Sequence, residues 1–527
     1  VGLRFSYQLL RRHFARPEAH RCFLGVMLSR RVQGLIPDTA TAEPGTAVQY
    51  RIELGGELRW SIIEDESDAK SELDEIAPSS ALARQLLGKG IDDSFQIGIY
   101  QHATIVAIQS KYVFRFQQSL TGWESRFSDD SSIVTMPAVD QSGKPDLSNL
   151  LASLDRRAEH VQEMETLYRT QPMPIAMFWH ALGRPGAFEA QLYLASRDKM
   201  PVRSCSGDAP ERARALADYA SAGVIVADVS ALATIRIIGV QALDRLRSKE
   251  ILVVDSAIEE VEEPLHEESR GRVAGHLERR DGSYVLAEEA EGDQETRQDD
   301  LRAFVAAIRR RCRVVEGTAL AAFSSEQRDK MKRTLGLPTA AAIAMAAKVG
   351  AILWTDDFVV AALAIAEHGV KRIWTQLMLQ AELAAGTLDH DTCLSGELTL
   401  LASGYTFTSM HPALIVHAGR ATGWNPGKAQ LAAVLMQIAN PTIDIRQLLQ
   451  LAGAFVMFLY KDAALPATRE SAIVALLEQL AHHPNGASGI RVLEQVVPRL
   501  FPLDPIRGAE ALGIVATWRQ ARGDLAI

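Results

Sequence analysis

Ile352-Leu353-Trp354-Thr355-Asp356-Asp357-Phe358 is a short apolar run that ends in two adjacent carboxylates and opens onto a helical pattern. Upstream, Val224-Ile225-Val226-Ala227-Asp228-Val229-Ser230 has the same layout: apolar run, acid, helix. In an α/β sheet, residues just past the carboxyl ends of parallel strands line the ligand crevice. Two strands that each deliver an aspartate to that edge predict a divalent-metal site.

Between these two strands the pattern continues as α/β. Ser230 is expected to cap a helix carrying Leu232, Ile235, Ile238, Val240 and Leu243, and residues 251–254 form the next strand. Asp255, Glu259 and Glu260 then open a helix, where acids suit the dipole whatever else they do. Residues 262–300 are acidic and read as an insertion with a hairpin around Asp281-Gly282. A helix at 301–313 ends in Arg309-Arg310-Arg311, and Lys330, Lys332 and Arg333 follow on the next one. These six cations are either phosphate contacts for a nucleic acid or a solvated helix face. An alanine-rich helix at 338–349 is slim enough to pack closely on a sheet, and Gly350 ends it before the Trp354 strand.

Working outward, residues 3–31 give two amphipathic helices, the second starting at Pro17. They read equally as the last unit of a helical repeat array or as a terminal hairpin. From Gly45 the period becomes two: Val48-Gln49-Tyr50-Arg51-Ile52-Glu53-Leu54, a Gly55-Gly56 turn, then Leu58-Arg59-Trp60-Ser61-Ile62. Ser79 or Ser80 caps a short helix that Gly88 ends, and strands follow at 95–99 and 104–110. Residues 146–171 read as a long charged helix, 173–183 as another, and 202–208 as a strand and turn. From Ile373 onward the chain is nearly all helix.

Length and composition bound the classes. A chain of 527 residues needs roughly three or four domains. With 47% hydrophobic and 23% charged residues it belongs to neither the disordered nor the membrane class. Net charge −9 excludes broad coating of nucleic acid but not a local basic groove. Cys22, Cys205, Cys312 and Cys393 lie far apart and read as free thiols of a reducing compartment. His180, His266 and His482-His483 lack ligand spacing and read as structural. The first residues, Val1-Gly2-Leu3-Arg4-Phe5, show no secretory signal, so a cytoplasmic protein without membrane association is expected. A start at Val rather than Met points to a truncated product or an alternative start.

Two stretches carry family resemblances. Ser79-Ser80-Ala81-Leu82-Ala83-Arg84-Gln85-Leu86-Leu87-Gly88-Lys89-Gly90-Ile91-Asp92-Asp93, within residues 42–112, resembles the C-terminal domain of the GreA/GreB transcript-cleavage factors. That family's Gly before Asp93 is Asp92 here. The resemblance implies an FKBP-like fold and docking on RNA polymerase, without the catalytic coiled coil. The run from Asp228 through Glu260 to Thr355-Asp356-Asp357 resembles a PIN domain, a compact nuclease in which acids at one end of a parallel sheet hold Mg2+ or Mn2+. It implies Asp228, Glu260 and Asp357 as metal ligands, Asp356 as a further catalytic acid, and Glu259 as the second ligand if the register is off by one. A hard cation held this way would polarise a phosphodiester and activate a water. One acid is missing: Thr339 stands where the family has an aspartate.

The expected fold class is multidomain α+β and α/β. The expected order is a helical segment at 1–41, a GreA/GreB C-terminal-like domain at 42–112, a linker domain at 113–219, a PIN-like domain at 220–376 and a helical region at 377–527. The function this implies is a metal-dependent ribonuclease brought to RNA polymerase, in stress or defence, with RNA as substrate. The rival is a non-catalytic polymerase adaptor with a degenerate PIN domain, and a third reading is cleavage of DNA. Carboxylates gathered at one place favour the enzyme; scattered ones favour the adaptor. Oligomeric state is not legible.

Overall fold

The computed structural model describes the chain apart from residues 1, 29–35, 37–38, 54–55, 66–67, 98–100, 128–146, 185, 198–199, 269–274, 281–282, 289–291, 407–409, 441–442, 463–464 and 523–527. The expected Asp281-Gly282 turn and Gly55 lie outside the described residues. Contacts group the rest into two compact units, residues 1–157 with 264–289, and residues 158–263 with 290–527. The segment read as a linker, 113–219, is divided between them.

In the first unit the period-two stretch becomes a five-stranded sheet. Its order is Glu75–Ile76, Leu58–Ile63, Thr46–Ile52, Gln101–Ser110 and Ser94–Ile97, antiparallel except for the first pair. Val48, Tyr50, Ile52, Ile63 and Ile105 alternate inward and pack on Ala83 and Leu86 of the helix Ala81–Leu86. Ser80 is that helix's cap, its Oγ accepting from the Ala83 amide at 3.1 Å. Asp92 has φ +69, the left-handed conformation that glycine adopts most freely. The helices Gly2–Arg12 and Lys111–Thr121 pin themselves to the sheet through buried charge. Glu75 takes both Arg11 (2.7 and 3.0 Å) and Arg115 (3.0 Å), while Glu64 takes Lys111 and the Tyr7 hydroxyl (2.7 Å). Each buried ion thus has a partner, as burial demands. The hairpin Gly275–Arg280 with Ser283–Glu288 belongs to this unit.

The second unit is built on a parallel sheet ordered Arg313–Val315, Glu250–Val254, Val224–Ala227, Ile352–Trp354, Arg372–Ile373. The three central strands are the ones expected; the two edges are not. The first edge cuts short a helix that starts earlier than expected, Asp293–Arg311, and the second follows Gly369 as a two-residue strand. The helix Leu337–Val349 lies on the sheet with every residue from Pro338 to Ala346 buried. Its alanines let it approach closely, and burial of each Ile, Val or Leu beneath contributes roughly 1.5–3 kcal/mol. Residues 202–208 form no strand: Val202 makes only an isolated bridge to Tyr405. Among the described residues, seven helices from His390–Ala402 to Pro505–Ala521 build a separate core around Leu414, Leu431, Phe455, Leu476 and Trp518. No helix among the described residues is long and apolar enough to cross a membrane. Cys205, Cys312 and Cys393 are buried, and burial pushes the Cys205 thiol up to about 11, so it is an inert packing group.

Candidate functional site

All five strands of the parallel sheet point the same way, so their carboxyl ends share one edge. Asp228 stands immediately after Ala227, and Thr355-Asp356-Asp357 immediately after Trp354 on the neighbouring strand. Asp228 is fully buried and is itself the N-cap of Val229–Ile238, the position expected of Ser230. Its Oδ1 accepts from the Ala231 amide at 2.9 Å and the Ser230 hydroxyl at 2.6 Å. Its Oδ2 accepts from the Thr355 hydroxyl at 2.7 Å. The Ser230 hydroxyl in turn accepts from the Asp356 amide at 2.8 Å, locking the two strand ends together.

Asp357 is the N-cap of Phe358–His368: Oδ1 accepts from the amides of Val359 (2.9 Å) and Val360 (3.2 Å). Its Oδ2 accepts from the amide of Ile175 at 2.7 Å, across 182 residues. Asp356 turns the other way and accepts from both the amide and the hydroxyl of Thr375, first residue of Thr375–Ala384. Of the two candidate acids, Glu260 is half-buried and Glu259 is exposed. Its Oε1 accepts from the amides of Ala187 (2.6 Å) and Phe188 (2.9 Å), the first two residues of Ala187–Ser196.

Electrostatics tie the four acids into one centre. Burial raises the carboxyls of Asp228 and Glu260 above their usual range and pushes Asp356 and Asp357 up to about 6. The charge of Asp228 contributes to the rise in each of the other three. The acids are therefore grouped, yet their oxygens do not converge on a common point. They are spent on the first amides of helices, at the positive ends of five helix dipoles. Mg2+ or Mn2+ requires several carboxylate or water oxygens directed at one position. Among the described residues no three Asp, Glu, His or Cys side chains are arranged to hold a metal ion, so the acids as placed do not fit one.

Thr339 is the third residue of Leu337–Val349, a helix that runs back from the carboxyl edge to feed the Trp354 strand, and it is buried. The arginines of the run are engaged. Arg309 pairs with Glu262 and Arg310 with Asp244, while Arg311 donates to the carbonyls of Leu246 and Lys249. Lys330 lies 3.8 Å from Glu367, and Lys332 and Arg333 are exposed. The residues that sequence reasoning passed over are Ile175, Ala187 and Phe188, which act through backbone N–H groups. The visible signals were Pro174 and Gly186, residues typical of helix starts that carry no capping side chain.

Residues 226–366 match a family model described as the PIN domain associated with the TPR-GreAB-C-PIN system. The matched span contains Asp228, Glu260, Thr339, Asp356 and Asp357, and the parallel-sheet region is similar to a PIN domain. No curated protein and no solved structure matches the chain.

Proposed function

We propose that the PIN domain is a metal-dependent nuclease domain acting on RNA, and that the sheet domain at 42–112 brings it to RNA polymerase. The observation that carries the nuclease reading is the grouping of Asp228, Glu260, Asp356 and Asp357 at one sheet edge, with Asp228 acting on the charge of the other three. Helix caps alone would be served as well by Ser, Thr or Asn, without burying like charges together. Carboxylates are the ligand type that a hard divalent cation takes beside a phosphodiester. Cleavage demands an arrangement of these acids other than the capped one. Docking is supported by the Ser80-capped helix, the Leu-Leu-Gly-Lys segment, and the glycine-like backbone of Asp92 at the position where the GreA/GreB family has glycine.

A second reading, the non-catalytic adaptor, is favoured by Thr339 and by the engaged carboxylate oxygens. RNA cleavage with Mg2+ or Mn2+ by the wild type and by Asp228→Asn separates the two. Metal-dependent cutting that the substitution abolishes is the nuclease result; absence of cutting under every condition, or equal cutting by the variant, is the adaptor result. Polymerase capture by the full chain, lost when residues 42–112 are removed, tests the docking half.

A further inference from the structure

We propose that a basic depression at the opposite edge of the parallel sheet from the acids binds the phosphate backbone of single-stranded RNA. The proposal rests on the nuclease reading for the identity of the polyanion and adds a second contact surface for it.

The depression has a volume of about 600 Å³. Four cations line it, Arg247, Lys249, Arg310 and Arg311, together with Asp244, Ser248 and Glu250. Both carboxylates are already matched. Asp244 accepts from Arg310 at 2.8 and 2.9 Å, and Glu250 accepts from Arg313 at 2.9 Å. Arg247 Nε donates to the Asp244 carbonyl at 2.7 Å, and Lys249 Nζ reaches the Ala220 carbonyl at 3.4 Å. Neither side chain pairs with a carboxylate among the described residues. Exposed pairs such as Arg310 with Asp244 are weak, and a phosphate competes well for the guanidinium fork.

The loop that carries two of these cations is fixed from both sides. Arg311 donates to the carbonyls of Leu246 and Lys249, the latter at 3.1 Å. The buried carboxylate of Glu382 accepts from the amides of Arg247 (3.2 Å) and Ser248 (3.2 and 3.3 Å), and from the Ser248 hydroxyl. Burial works to raise the Glu382 carboxyl, but hydrogen bonds from Ser248, Thr387 and Tyr219 hold it below the usual range, so this clamp stays ionised. A loop bound through its own backbone has little freedom left to lose when a ligand arrives.

The lining selects for backbone. Among the described residues it includes no aromatic or aliphatic side chain, so a base or an acyl chain finds nothing to stack on. Cations without an apolar wall position a nucleic acid through its phosphates and do not read its sequence. Glu250 is the first residue of its strand, which places the depression at the amino edge. Ala227 is level with Val253, so Asp228 stands at the far end of the same strand pair. At a rise of ~3.3 Å per residue, Glu250 and Val254 lie ~13 Å apart. A strand of a few nucleotides covers that distance.

Binding of a short fluorescent oligouridylate to the full chain, read by anisotropy in EDTA, tests the site without any cleavage. Arg247→Gln/Lys249→Gln should weaken binding about tenfold. The slope of log affinity against log salt should fall by about 1.4, since each phosphate contact on a single strand contributes about 0.7. Arg310→Gln alone should lower the slope by about 0.7, which keeps the test open if the double variant fails to fold. Lys428→Gln/Arg446→Gln removes two exposed charges from the C-terminal helices and should leave affinity and slope nearly unchanged. Equal losses in the two double variants, or no loss in Arg247→Gln/Lys249→Gln and Arg310→Gln, overturn the site. Displacement by polyglutamate as effective as that by unlabelled RNA overturns RNA as its occupant. Cleavage with Mg2+ or Mn2+ is measured apart. The expected binding losses in a protein that never cuts RNA keep the site and overturn the nuclease reading; cutting with unchanged binding does the reverse.

Discussion

Glu260 caps a helix that begins 73 residues before it: its Oε1 lies 2.6 Å from the amide nitrogen of Ala187. Two donors depend on that oxygen, those of Ala187 and Phe188. Glu260→Ala leaves both unpaired in a protected position and should cost about 2 kcal/mol. Hydrogen exchange in peptides covering Ala187–Ser196 should accelerate, and the urea midpoint of the transition should fall. Glu260→Gln retains an acceptor and should lose less. Unchanged exchange in the alanine variant would mean that the pairing does not form in solution.

Asp356 and Asp357 supply a pH dependence of known sign. Burial pushes both up to about 6 from an ordinary 3.8. A folded-state value above the unfolded one gives stability that is fully present below about pH 3.8 and lost as pH rises through about 6. Relative to Asp356→Asn, the wild type should therefore lose up to ~3 kcal/mol between pH 4 and pH 7.5, at about 1.4 kcal/mol per pH unit. Denaturation at a series of pH values in both proteins checks this. Parallel stability curves would show that Asp356 ionises as an exposed carboxylate does.

The central strands and their acids were legible because each couples a run of apolar residues to a carboxylate at the boundary of two periodicities. Arg313–Val315 and Arg372–Ile373 were not: three and two residues carry no period, and each opens on an arginine. What makes Arg372 tolerable in a buried edge strand is its ion pair with Glu211 and its bond to the Ser204 carbonyl, neither of which is visible along the chain. The carboxylates' partners were hidden for a different reason. Backbone amides have no side-chain signature, and those of Ile175 and Ala187 lie far away in sequence. The pattern could say where the acids stand, but not which way their oxygens point.

Glu75, Arg11 and Arg115 form a buried triad in the first unit whose members cannot be removed singly. Glu75 is held low: burial works to raise it, but hydrogen bonds from Arg11 and the Lys70 amide, with the charges of Arg11 and Arg115, outweigh burial. Glu75→Ala strands two buried guanidinium groups and should cost roughly 3–5 kcal/mol. Because the folded value is depressed, the contribution is present above about pH 4.5 and lost as pH falls through the lower folded value. Exchange rates of peptides within residues 42–112 report it locally. A loss under 1 kcal/mol would mean that water already reaches the triad.

Asp92 occupies a glycine conformation in an exposed loop, at φ +69. Left-handed backbone is strained for a residue with Cβ, though less so for Asp than for most. Asp92→Gly removes that strain while adding freedom to the unfolded chain, for a net gain of up to ~1 kcal/mol. Asp92→Val should instead lose more than 1 kcal/mol, since a β-branched residue is a genuine outlier there. Thermal unfolding of the two variants beside the wild type gives the order Gly, Asp, Val; any other order removes the strain argument.

Thr339 lies at the start of the helix feeding the Trp354 strand, so its side chain belongs to the carboxyl edge without contributing charge. Thr339→Asp adds an acid where the surrounding carboxyls are already raised by burial and by one another. The substitution should destabilise the second unit by roughly 1–3 kcal/mol. The nuclease reading gives the same aspartate a use: Mn2+ should restore the thermal stability that Thr339→Asp loses. Both effects are read from one set of melting curves with and without Mn2+. If Thr339→Asp melts at the same temperature under both conditions, Thr339 does not occupy a ligand position, and its divergence from the family's aspartate has no bearing on the acidic centre.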